Sequence, residues 1–236
     1  MKMIIFYILA FLFCLPIQAQ QQRFFGVIQD ADGYTNVRDT NGTVIDKLLD
    51  NHVFVDWDAQ KNHKKWHSVE YGAETGITKT YPNGNTHIGE IHKSRICYLP
   101  DLPQLKKQPQ STDNYLVYAN DTLTVEIGFR DFNLQRHSIV YDLDTGFVRS
   151  IDGCSDLIGI DNNIPNKEYE SITVKYPAGI LEFPTAYITH LYEPNQNNVV
   201  VALGNGNTLF ISTQNSDGAG AVSYTHLRAH ETLANL

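Results

Sequence analysis

The side chain with the strongest claim to covalent chemistry in this 236-residue sequence is Cys154, set in Gly153-Cys154-Ser155-Asp156 with His190 downstream. A thiol attacks only as the thiolate, so it needs an electropositive setting such as a helix N-terminus or a nearby imidazolium. Cys154 instead stands between Asp152 and Asp156, whose charges raise a thiol pKa, and Leu157-Ile-Gly-Ile160 offers no helical continuation. The competing reading is a turn at Asp152-Gly153 followed by an inert thiol. Other catalytic patterns are weaker still. No Gly-x-Ser-x-Gly elbow presents a serine nucleophile, and no His-Glu pair has the spacing of a zinc amidase. A glycosidase needs two facing carboxylates, which the 26 acidic residues neither exclude nor single out. His137 and His190 read as hydrogen-bonded structural residues.

Metal ligation is also poorly supported, and no cofactor is expected. Asp30-Ala-Asp-Gly33 opens like a calcium loop, but the later oxygen ligands and the glutamate at the twelfth position are missing. His63 and His67 would converge on a metal only along a helix, whereas Lys61 to Lys65 reads as a turn into a strand. His226, His230 and Glu231 have helix-face spacing, but they fall in a terminal stretch set aside below.

The elements that would position any site are strands. Short alternating runs such as Thr122-Leu-Thr-Val-Glu-Ile-Gly128, Ser171-Ile-Thr-Val-Lys-Tyr176 and Asn198-Val-Val-Val-Ala-Leu203 are separated by Gly, Asn and Asp. Gly204-Asn-Gly206 between two apolar runs is a hairpin cue. The expected fold class is all-β: a small barrel over residues 24–100, a Pro- and Gln-rich linker over 101–114, and a second, sandwich-like and truncated β-rich domain over 115–220. Residues 1–19 read as a secretory signal, with Lys2, an apolar run from Ile4 to Leu15 and cleavage after Ala19, which predicts a periplasmic or extracellular protein. That apolar run is too short to span a bilayer comfortably, so no stable membrane insertion is expected after cleavage. Residues 221–236 resemble translated sequencing-adapter read-through and are expected to be non-native. The formal charge of −8 argues against nucleic acid as a partner. Cys97 and Cys154 are expected as two separate thiols.

Asp32-Gly-Tyr-Thr-Asn-Val-Arg38, Trp66-His-Ser-Val69 and Gly89-Glu-Ile-His-Lys-Ser-Arg-Ile96 follow one another in an order that resembles the bacterial Src-homology-3 domain. The resemblance covers about a third of the chain. It implies a barrel that binds an extended peptide in a shallow aromatic groove, with a cell-wall (peptidoglycan) peptide or a protein partner as ligand. The groove residues it points to are Tyr34, Asn36, Arg38, Trp57, Trp66, Tyr71 and His92. Glu90 stands where the family carries an aromatic residue. Two further readings stay open. Such domains are often fused to cell-wall cysteine peptidases, which would give Cys154 a role, or the barrel's aromatics pack on the second domain. Alternation places Val37, Ile45, Leu48, Val53, Val55, Val69, Ile91 and Ile96 inside the barrel, and Gly33 and Gly89 at tight backbone positions.

Overall fold

In the computed structural model, Tyr34-Thr-Asn-Val-Arg38 alternates outward and inward, with Thr35 and Val37 buried and Asn36 exposed. That period of two recurs along the chain and builds an all-β fold. The structure describes residues 24–61, 63–72, 77–79, 86–215 and 223–229. The first strands are β1 (Phe24–Ile28), β2 (Tyr34–Arg38), β3 (Val44–Leu49), β4 (Val53–Asp56), β5 (Trp66–Gly72), β6 (Ile77–Lys79), β7 (Thr86–His92) and β8 (Ile96–Tyr98). After them come β9 (Lys106–Lys107), β10 (Tyr115–Ala119), β11 (Thr124–Asp131), β12 (Ile139–Tyr141), β13 (Val148–Ile151), β14 (Lys167–Tyr176) and β15 (Gly179–Glu182). The last are β16 (Val200–Leu203), β17 (Leu209–Asn215) and β18 (Ser223–Ala229).

Seven strands form a curled half-barrel in the order β3-β2-β7-β5-β4-β1-β8. Two glycines permit the curl. Gly33, at φ 77°, closes the turn into β2 by donating its N–H to the Asp30 carbonyl. Gly89 lets β7 pass close over β2, since a Cβ there would lie 2.3 Å from the Val37 side chain. A second sheet runs β15-β14-β11-β10-β9, a third runs β16-β17-β18-β6, and β12 and β13 form a separate hairpin.

These sheets stack in three layers, with the β16–β17 hairpin in the middle. Val201, Leu209 and Ile211 face the five-stranded sheet, in a core with Leu116, Val125, Ile127, Ile172 and Val174. Ala202 and Phe210 face the other way, packing with Phe25, Val27, Val53 and Val55 of β1 and β4. The half-barrel's own interior is a third cluster: Ile28, Val37, Leu48, Phe54, Val69, Tyr71 and Ile91, with Ile96 against it.

Val53 and Val55, expected inside the barrel, therefore lie on its opposite face, and Phe54 is the inward residue of β4. Every residue of β4 is buried, and a strand covered on both sides reads as a continuous apolar run that hides its own alternation. Ile45 is also corrected: it points to solvent at 51% exposure. Leu48 of the same strand is inward, and residues three apart in a strand take opposite faces.

The stretch read as a linker is held in these cores. Leu102 packs with Phe25 and Phe210, Leu105 joins the core of the five-stranded sheet, and Lys106–Lys107 pairs with β10. Ser223–Ala229, within the terminal segment set aside from the sequence, lies as a strand between β17 and β6. Residues 1–19 fall outside the described residues. Among the described residues, no helix is long and apolar enough to cross a membrane.

Candidate functional site

Five of the seven groove candidates share the outer face of the half-barrel. Trp66 and His92 are opposite each other across β5 and β7, Arg38 is opposite Glu90 across β2 and β7, and Asn36 is opposite Lys47 across β2 and β3. Cross-strand partners project to the same side, so Tyr34, Asn36, Arg38, Trp66 and His92 form one surface with Lys47 and Glu90.

Trp66 is 40% exposed and braced on two sides. Its ring meets His92 edge to face at 5.3 Å, and the Arg38 guanidinium lies 5.7 Å from its centroid. Arg38 is steadied by donating Nη1–H to the Gly42 carbonyl at 2.7 Å. His92 is fixed by Ser94, whose backbone N–H donates to Nδ1 at 3.3 Å and whose hydroxyl lies 2.8 Å from the same nitrogen. Further along the face, the Lys47 ammonium sits 3.3 Å from the Tyr34 ring centroid. Trp66 and Tyr34 thus each carry a cation at the ring.

The other two candidates lie elsewhere. Tyr71 is buried in the half-barrel interior and donates to Asp46 Oδ2 at 3.0 Å. Burial, and then the Asp46 carboxylate, push its phenol well above the usual range. Trp57 is half-buried against the cluster containing Ala202 and Phe210. Lys47 was missed from sequence. The turn at Asp39-Thr-Asn-Gly42 carries the signal, because the register it sets across β2 and β3 brings Lys47 beside Asn36.

Two polar clusters, the first buried and the second partly exposed, complete the chemistry. Beneath the half-barrel, Asp56 Oδ2 accepts from Tyr98 Oη at 2.8 Å and lies 2.8 Å from His67 Nδ1, while its Oδ1 accepts from the Asp58 N–H. His67 Nε2 is buried without a hydrogen-bond partner. Burial, and then the bond to Asp56, raise the Tyr98 phenol. In the second cluster His137 stacks on Phe132 at 4.3 Å, with Nδ1 2.7 Å from Asp152 and Nε2 3.4 Å from Glu168. Glu168 is buried and accepts from Arg130 Nε at 2.6 Å. The Ser138 N–H, and then His137, hold the Asp152 carboxyl below its ordinary value.

Carboxylates thus stand at both ring nitrogens of His137, while His190, the histidine downstream of Cys154 in the sequence, is buried at 7% exposure. The Cys154 sulfur lies 3.7 Å from the Asp156 carbonyl. Cys97 and Cys154 are both free thiols, and burial followed by Asp101 raises the Cys97 thiol. Asp30 spends its Oδ1 on Arg95 and on the Asp32 N–H. Among the described residues no group of three or more His, Cys, Asp or Glu side chains converges as a metal site would require. An open polar cavity of about 470 Å³ at Asp113, Lys167 and Glu193–Asn197 is lined by groups that already have partners: Lys167 with Asn114 and Asp131, Glu193 with Asn166, and Gln196 with the Asp113 carbonyl.

No family model, no curated protein and no solved structure matches this chain.

Proposed function

We propose that this is an exported, non-catalytic binding protein whose half-barrel recognises an extended peptide, from the cell wall or from a protein partner, on its outer face. The observation that carries this reading is Trp66, a large aromatic left in water yet fixed by Arg38 and His92. Rigid, partly exposed tryptophans flanked by arginine are the residue types that anchor interfaces. The order of Asp32 to Arg38, Trp66 to Val69 and Gly89 to Ile96, which resembles the bacterial Src-homology-3 domain, supports a peptide as ligand. Lys2, the apolar run and Ala19 support export.

A second reading, an assembly module, is favoured by Trp57, which packs towards Phe210 rather than onto the open face. Cosedimentation with purified peptidoglycan separates the two. The binding reading expects retention that drops sharply in Trp66→Ala and persists in Trp57→Phe. No retention, or retention indifferent to Trp66, would leave the half-barrel as a packing element.

A further inference from the structure

Among the described residues the β12–β13 hairpin is a sheet of its own, hydrogen-bonded to no other strand. Val140, Tyr141, Leu143 and Phe147 on it are exposed, while Val148 and Ile151 hold it down against Tyr192. A lone two-stranded hairpin is marginally stable, so polar contacts at its base weigh on how often it opens. His137 makes such contacts. Its side chain is 10% exposed and stacks on Phe132 at 4.3 Å. Nδ1 lies 2.7 Å from Oδ2 of Asp152, the residue that follows β13, and Nε2 lies 3.4 Å from Glu168 of β14.

Both carboxylates are otherwise supplied with donors. The Ser138 N–H donates to the second oxygen of Asp152 at 2.8 Å and, followed by His137, holds that carboxyl below its ordinary value. Arg130 donates Nε–H to Glu168 at 2.6 Å. An imidazole answers two carboxylates only when each ring nitrogen carries a proton. The neutral ring has one N–H and turns a lone pair towards the other acid. The remaining ionisable groups nearby are Arg136, which precedes His137, the Tyr192 phenol and the Cys154 thiol. Both arginines stay charged at any moderate pH. Burial, and then Glu168, Asp152 and Cys154, push the Tyr192 phenol well up, so it stays neutral.

We propose that a proton on His137 latches the β12–β13 hairpin, shut while the ring is doubly protonated and loosened as pH rises. The closed hairpin keeps a proton that the open one releases, so closure weakens with increasing pH. This device is independent of peptide binding on the half-barrel.

Amide hydrogen exchange of the full chain at about pH 5.5 and about pH 7.5, either side of the ordinary histidine range, provides the test, each rate corrected for intrinsic exchange. The reporters are the Ile151 and Asp152 amides, which donate to the Cys154 and Ser138 carbonyls, with β11 and β14 as the reference. Relative to that reference, their protection should fall about tenfold at the higher pH, the worth of about one hydrogen bond. Asp152→Asn should flatten the profile. Asparagine tolerates the φ of 52° there, its oxygen accepts from Ser138, and its amide donates to the deprotonated ring nitrogen. His137→Gln, which does not titrate, should flatten it too, and Cys154→Ser should leave it as in the native chain. Protection indifferent to pH in the native chain overturns the latch. A pH dependence that survives in Asp152→Asn or His137→Gln, or disappears in Cys154→Ser, belongs to another group and overturns it as well.

Discussion

Asn51 and Asn205 hold each other across 154 residues of sequence, the Asn51 side-chain oxygen accepting from the Asn205 N–H at 3.0 Å and its amide donating to the Asn205 carbonyl at 2.9 Å. Asn51 is buried, sits at φ 64° and gives a third bond to Thr208 Oγ1 at 3.2 Å. One side chain therefore ties the half-barrel's β3–β4 turn to the tip of the β16–β17 hairpin.

Asn51→Gly tests that tie without straining the backbone, because glycine tolerates the left-handed conformation. It leaves the Asn205 N–H and the Thr208 hydroxyl without their partner, so we expect a loss of about 1–3 kcal/mol. Urea denaturation followed by tryptophan emission and by far-ultraviolet dichroism reads it. The two signals should move together, and a shift in only one would separate the half-barrel from the rest.

Phe210 fills the layer between β1–β4 and the hairpin, fully buried among Phe25, Val27, Val53 and Val55. Phe210→Ala should cost about 3–5 kcal/mol. A fragment ending at Pro100 loses Ala202 and Phe210 together and should bind a hydrophobic dye instead of unfolding cooperatively. A cooperative fragment would show that the half-barrel needs neither residue.

Asp58 is expected to contribute to acid sensitivity. Burial raises a carboxyl pKa, but here the ammonium groups of Lys61 and Lys64, at 2.6 and 2.8 Å, and the Ser68 N–H outweigh it and hold Asp58 well below the carboxylate range. The folded value lies under the unfolded one. The stabilisation is therefore complete above about pH 5 and is lost as pH falls past the unfolded value and through the folded one. Urea midpoints should drop more steeply between about pH 5 and pH 2 in the native chain than in Asp58→Asn. Parallel profiles would place the acid response elsewhere.

His137→Ala removes the link between the β12–β13 hairpin and β14, since the ring reaches Asp152 on one side and Glu168 on the other. Glu168 keeps Arg130, so the expected effect is local: faster proteolytic cleavage between residues 139 and 151, at a cost of about 1–3 kcal/mol. Unchanged cleavage would mean that Val148, Ile151 and Tyr192 hold the hairpin unaided.

The all-β class and the outer-face residues were legible because strand alternation and short turns are local signals, and Tyr34, Asn36 and Arg38 share one parity on a single strand. What escaped the sequence was long-range. Val53 and Val55 could be assigned a face only by knowing that Phe210, more than 150 residues away, covers them. The polar run after Pro100 conceals Leu102 and Leu105, two anchors spaced for opposite cores. Tyr71 looked like a groove aromatic, but its neighbours Ser68 and Glu70 occupy the outer face. Lys47 belongs to no run that alternation alone singles out.

The middle layer bears on the order of events during synthesis. Phe25, Val27, Val53 and Val55 leave the ribosome long before Ala202 and Phe210, which cover them. For roughly the time needed to make a hundred further residues, about 5–20 s at usual elongation rates, the nascent half-barrel presents an unclosed apolar side. Contacts of such high sequence separation close a long loop, so this layer is expected to be among the last to form.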